Sequence, residues 1–144
     1  MEDGDVIKFD ATEGWDEKDW KEFQHRIKSP PMKGDGDNRL AVVLVGDGGS
    51  QNGRLPELLN SAKMQNLPLL IIVIDNGRAI NTFTKDVATN TMKYTLGEHY
   101  GVPGVYVDGL NAVDVAKAGR AVTDYIRNGN GPAVMQIHTY RFMG

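Results

Sequence analysis

Two runs, Leu40–Val45 and Leu69–Ile74, contain only apolar residues. A strand with one face in water alternates polar and apolar positions. Unalternated runs bounded by turn residues are strands covered on both faces, the condition of a parallel sheet packed between helices. Parallel neighbours need a crossover, and the residues between the runs supply one. From Gly53 to Gln65, the apolar positions Leu55, Leu58, Leu59 and Ala62 recur at helical spacing. Ser50 or Asn52 is placed to cap this helix, and Pro56 lies in the first turn, where a missing N–H is tolerated. The expected fold class is α/β, a parallel sheet with helices on both faces.

Further along, Val105–Val107 reads as a short third strand and Ala133–Phe142 as the last. A helix is expected from Asn111 to Asn128, capped by Asn111, buried along Val115, Ala118, Val122 and Tyr125, and ended by Gly129. Asn76 to Lys93 reads as a long polar loop. Residues 1–38 differ in character, being rich in Asp, Glu and Lys. One short helix is expected there, from Asp16 to Ile27 with Trp20, Phe23 and Ile27 on one side, before the breaker cluster Lys28–Asn38. The division implied is an acidic segment and linker over 1–38, of no assigned role, and one α/β unit over 39–144. Met1–Asp10 has no apolar stretch of the kind a signal peptide needs, and it does not read as a transit peptide.

Both buried runs end in acidic-glycine turns, Gly46-Asp47-Gly48-Gly49 and Asp75-Asn76-Gly77. Ligands of parallel sheets bind beyond the carboxyl ends of the strands, and adjacent strands would set Asp47 and Asn76 across one crevice. A dinucleotide fingerprint opening at Gly46 needs glycine where Gln51 stands. A phosphate loop opening at Gly48 reaches Gly53 but continues Arg54-Leu55 instead of Lys-Ser or Lys-Thr. What remains is a carboxylate among glycines with a carboxamide opposite. Those hard oxygen donors suit magnesium, with positions left over for phosphate oxygens, and a helix N-terminus after Gly49 would favour an anion. Either turn alone is an ordinary way to leave a strand; it is the pairing that suggests a Mg²⁺-bridged diphosphate.

Other chemistries are excluded. There is no cysteine, hence no thiolate nucleophile and no zinc–thiolate site. A net charge of −3 without any basic run argues against nucleic acid. The apolar stretch Leu67–Ile74, broken by Pro68, is too short to span a membrane. His25, His99 and His138 read as surface or packed side chains, and Trp15, Trp20 and Tyr100 as half-buried anchors.

"GDGGSQNGRLPELLNSAKMQNLPLLIIVIDN", Gly46 to Asn76, resembles the signature of thiamine-diphosphate enzymes. "YGVPGVYVDGLNAVDV" and "GPAVMQIHTYRFMG" make the chain similar to the alpha subunit of the pyruvate dehydrogenase decarboxylase component, nearest its plastid and cyanobacterial branch. The likeness covers about residues 39–144. It implies the diphosphate half of a thiamine-diphosphate-binding fold, with thiamine diphosphate and Mg as cofactors. Asp47 and Asn76 would be metal ligands through their side chains and Arg78 through its main-chain carbonyl. Gly46, Gly48 and Gly49 would frame the diphosphate, with Gly48 and Gly49 offering N–H groups. Tyr140 and Arg141 belong to the stretch leading into the family's catalytic loop.

The resemblance also implies a beta-subunit partner, a hetero-oligomer, and residence in a plastid, a mitochondrial matrix or a bacterial cytoplasm. Several positions depart from the pattern. The family usually has two asparagines where this chain has Asp75-Asn76, and glycine where it has Asn81. Its catalytic histidine and phosphorylatable serines follow the glycine matching Gly144, so no catalytic residue is assigned here. The early glycine-rich segment of the family has no counterpart in residues 10–30. Three readings stand: an alpha-subunit-like chain not active by itself, a non-catalytic structural subunit of a larger assembly, or a generic α/β module with no cofactor.

Overall fold

The computed structural model describes residues 6–7 and 39–142. The helix expected over Asp16–Ile27, the linker Lys28–Asn38, and Trp15, Trp20, His25 and Gly144 lie outside the described residues. Five strands form one wholly parallel sheet: β1 (Val6–Ile7), β2 (Ala41–Gly46), β3 (Leu69–Asp75), β6 (Gly104–Asp108) and β7 (Ala133–His138), in the order β1-β2-β3-β7-β6. Helix α1 (Arg54–Met64) joins β2 to β3, and α3 (Ala112–Tyr125) leads from β6 towards β7.

The step from β2 to β3 and the step from β6 to β7 run in opposite directions across that order. Right-handed crossovers therefore put α1 and α3 on opposite faces. Side chains that alternate along each strand feed two separate cores. On the α1 face, Val43, Ile71, Val73 and Val134 meet Leu55, Leu59 and Ala62. On the α3 face, Leu70, Ala133, Met135 and Val107 meet Val122 and Ile126, with Val115, Ala118 and Tyr125 packed at the margin. Leu59, Leu69, Ile71 and Val73 are fully buried, each contributing about 1.5–3 kcal/mol. The expected fold class holds, helices on both faces included.

Of the caps expected from sequence, the one at Asn111 forms, whereas α1 has Gly53 at its cap position and no side-chain cap. Asn111 Oδ1 accepts the N–H groups of Val113 and Asp114, at 3.1 and 3.3 Å. Asn52 Oδ1 accepts from Arg54 N–H at 3.0 Å, while the Ser50 hydroxyl instead donates back to the Asp47 carbonyl at 2.7 Å.

Four expectations need correction. The turn after β2 is a 3₁₀ turn over Gly49–Gln51, and α1 begins only at Arg54. The helix dipole thus starts well past the strand end, because Asn52 is extended and interrupts the winding. The stretch read as a polar loop holds a two-stranded ribbon, β4 (Arg78–Ala79) with β5 (Thr82–Phe83), a one-turn helix α2 (Thr84–Val87), and the start of a 3₁₀ segment over Lys93–Tyr100. The last strand stops at His138, the last residue paired with both β3 and β6, and Thr139 N–H completes that pairing on the Asp75 carbonyl at 2.7 Å. The second long helix ends at Tyr125 and passes into a π turn, closed by Gly129 at φ +81.

Candidate functional site

All five strands are parallel, so their carboxyl ends lie along one edge, and the pairing register says what stands there. Gly46 lies opposite Ile74, and both Asp75 and Asp108 lie opposite His138. Extending the first ladder by one residue places Asp47 opposite Asp75. The edge therefore runs Asp47, Asp75, His138, Asp108.

Asp47 is 3% exposed. Its Oδ2 accepts the backbone N–H groups of Asn76 at 3.0 Å and Arg78 at 3.2 Å. The Asn76 side chain does not face it; Asn76 Oδ1 accepts the same Arg78 N–H at 3.0 Å. The structure thus brings Asp47, Asn76 and Arg78 together, through the main chain of the β3 turn. Asp47 Oδ1 is buried and has no hydrogen-bond partner among the described residues. Arg78 is exposed and stacks its guanidinium 4.1 Å from the Phe83 ring centre, which leaves the ribbon's backbone to face the site. Gly46 closes β2 with open space where a Cβ would be, and Gly48 lies 3.4 Å from the Ala79 Cβ by the same measure. Gly49 starts the 3₁₀ turn.

Asp75, an unexpected residue at its position, is buried. Its Oδ1 accepts Gly77 N–H at 2.9 Å and its Oδ2 accepts from Gln136 Nε2 at 2.5 Å. Gln136 also donates to the Thr91 carbonyl and accepts Tyr94 N–H at 3.1 Å, so one side chain ties the sheet to the 91–94 segment. Burial, then hydrogen bonding and charge repulsion from Asp75, push the Asp47 carboxyl from 3.8 up to about 6, against the pull of the Asn76 and Arg78 amides. For Asp75, burial acts in the same upward sense but is outweighed. Its bonds to Asp47, Gly77 and Gln136 and the charge of His138 hold it below the usual carboxylate range. Of the two acids, Asp47 is therefore the one that takes up a proton first as pH falls.

Lys93 is 2% exposed, and its ammonium donates to the Asn90 carbonyl at 3.0 Å. Burial depresses its pKa while the charges of Asp47 and Asp75 support it. Beside Asp75 opens a cleft of about 480 Å³ walled by Tyr94, Tyr106, His138 and Gln136, with Thr84 in its lining. Exposed His138 stacks on Tyr106 at 6.2 Å. Tyr100 packs against the α1-side core, and Tyr140 is exposed.

Sequence reasoning missed Gln136 and Lys93. A signal existed for the first, since a lone glutamine between Met135 and Ile137 in a doubly covered strand needs a buried partner. For Lys93, in a polar-looking stretch, there was none. Among the described residues no three His, Asp or Glu side chains cluster as a metal would need. A cation held here must therefore also take carboxamide or carbonyl oxygens, and that donor set, with the unpartnered Asp47 Oδ1, fits a hard divalent ion. No helix among the described residues is long and apolar enough to cross a membrane.

The model of the dehydrogenase E1 component family matches residues 30–144. The chain belongs to the dehydrogenase E1 component family. It is 36% identical over 105 residues to the probable pyruvate dehydrogenase E1 component subunit alpha, mitochondrial, of Caenorhabditis elegans, covering 73% of this chain and 26% of that one. It is 31% identical over 122 residues to the chloroplastic subunit alpha-3 of Arabidopsis thaliana, covering 85% and 28%. It is 29% identical over 122 residues to the subunit alpha of Zymomonas mobilis, covering 85% and 32%. Within the E1 family the chain is thus alpha-subunit-like, with mitochondrial, chloroplastic and bacterial relatives. It spans about a quarter to a third of the length of these curated relatives.

Proposed function

We propose that residues 39–144 form the part of a pyruvate dehydrogenase alpha subunit that holds Mg²⁺ and the diphosphate of thiamine diphosphate. The observation that carries this is the buried, unpartnered Asp47 Oδ1 at the carboxyl end of β2. A hydrogen-bonding carboxylate oxygen is costly to bury alone, and a divalent cation would satisfy it. The Asn76 carboxamide and the Arg78 carbonyl supply further oxygens from the adjoining turn, while the Gly48 and Gly49 amides would meet the diphosphate. The E1 family is thiamine-diphosphate dependent; the cofactor supplies the carbanion chemistry that oxidative decarboxylation of pyruvate and acetyl transfer to lipoamide require. This chain's share is to bind and orient: Asp47 positions the Asn76 and Arg78 amides, and the α1 crossover fixes the spacing of the two turns. A beta subunit completes the site in a hetero-oligomer, and none of the described residues is assigned a catalytic role.

A second reading, a non-catalytic subunit descended from this family, draws support from Asp75. Its buried carboxylate adds negative charge beside the place an anion would occupy. Calorimetry with Mg²⁺ and thiamine diphosphate separates the two. For the first reading, the chain alone binds weakly, a form assembled with a beta subunit binds, and Asp47→Ala abolishes that binding. Unchanged affinity in the Asp47→Ala assembly would show the metal assignment to be wrong; no binding in any assembly favours the second reading.

A further inference from the structure

Lys93 is 2% exposed, yet among the described residues its ammonium has one hydrogen-bond acceptor, the Asn90 carbonyl at 3.0 Å. An ammonium carries three N–H groups and a full charge, and one neutral carbonyl does not offset the loss of its hydration. A lysine buried this deeply needs an acid in the same poorly solvated region. Gln136, also 2% exposed, shows which acid that is. Its Oε1 accepts Tyr94 N–H, and its Nε2 donates both to the Thr91 carbonyl at 3.2 Å and to Asp75 Oδ2. One side chain thus holds the backbone on both sides of Lys93 and the carboxylate of Asp75. Asp75 is itself 9% exposed and accepts from two neutral donors, Gly77 N–H and Gln136 Nε2. A buried cation and a buried anion, each hydrogen-bonded to neutral groups, are therefore fastened to the same glutamine. The charges of Asp47 and Asp75 both favour the Lys93 ammonium. His138, whose charge also acts on Asp75, is exposed.

We propose that the Lys93 ammonium is the built-in counter-charge of Asp75, so that this buried strand end carries the net charge of one carboxylate, that of Asp47. The pairing is one of charge across the Gln136 amide, without an ion-pair contact. Lys93 is then a positioning residue, because it cancels the repulsion that Asp75 would exert on an anion. A divalent cation on Asp47 keeps positive charge for a diphosphate. That consequence rests on the reading of Asp47 as the metal carboxylate; the pairing of Lys93 with Asp75 does not.

A double-mutant cycle in the metal-free full chain tests the pairing, by urea denaturation at neutral pH followed by circular dichroism. Methionine at 93 keeps the apolar stem and removes the charge. The effect of Lys93→Met on the folding equilibrium constant is expected to be about fivefold or more unfavourable in wild type relative to an Asp75→Asn chain. An equal effect in both backgrounds overturns the proposal, and so does coupling of Lys93 to Asp47→Asn alone. If Lys93→Met by itself does not fold, recovery of folding in Asp75→Asn/Lys93→Met supports the pairing, and a double variant that stays unfolded overturns it. Calorimetry with Mg²⁺ and thiamine diphosphate, on the chain assembled with a beta subunit, tests the consequence. Lys93→Met is expected to weaken binding about fivefold or more, and Asp75→Asn/Lys93→Met to restore it. Binding that the second substitution does not restore overturns the positioning role. A wild-type assembly that binds nothing overturns the cofactor reading instead, while the metal-free cycle still decides the pairing.

Discussion

Asp47→Asn is expected to make the metal-free chain more stable at neutral pH. The native carboxyl titrates near 6 against an ordinary 3.8. Between those values the folded chain keeps a proton that the unfolded chain has released, so its stability falls as pH rises through about 6. A shift of about two units corresponds to roughly 3 kcal/mol at about 1.4 kcal/mol per unit. Asp75 acts in the opposite sense, because a lowered pKa gives stability that is present above 3.8 and lost only as pH falls through its folded value. It adds little slope between pH 5 and 8. Asparagine at 47 keeps an oxygen for the Asn76 and Arg78 amides, presents an N–H to Asp75, and has no charge to bury. Urea denaturation followed by circular dichroism should find the variant about 1–3 kcal/mol more stable than wild type at pH 8 and nearly equal to it at pH 4. A variant less stable at pH 8, or a difference of the same size at both pH values, would refute the account of Asp47 as a buried acid with a raised pKa.

Two further substitutions probe the frame around the site. Gly104→Ala would drive its Cβ into the Tyr94 carbonyl, which is backbone and cannot swing away; a loss of about 3 kcal/mol or more is expected, read as a lowered urea midpoint. Ile80 holds φ +55 while 67% exposed, a conformation a β-branched residue adopts at a cost. Ile80→Asn, which tolerates that region, is expected to raise stability by about 0.5–1 kcal/mol in the same assay.

The elements legible in the sequence are those specified by their own residues. β2 and β3 were visible as apolar runs, α1 and α3 as periodic faces, the second with a capping asparagine. Residues 76–103 were not, because their shape depends on distant groups: Gln136 holds Tyr94, and Arg141 donates to the Ile80 carbonyl at 2.8 Å. Two-residue strands are too short to leave a pattern. The site divides the same way. Asp47 and the β3 turn could be named from their glycine neighbours and their strand ends. The opposition of Asp47 to Asp75 depends on the one-residue register of two strands, and a shift of one position would bring Asn76 there instead. Lys93 is buried by packing that no local signal announces.

Arg141 and Thr139 have a mechanical meaning beyond closing a loop. Thr139 is fastened to the main chain of Asp75, and Arg141 to the tip of the ribbon that begins at Arg78. The polypeptide leaving the last strand is thus moored at two points to the turn whose amides grip Asp47. The turn and the segment leaving the last strand therefore brace each other, so a substitution that frees either one loosens both.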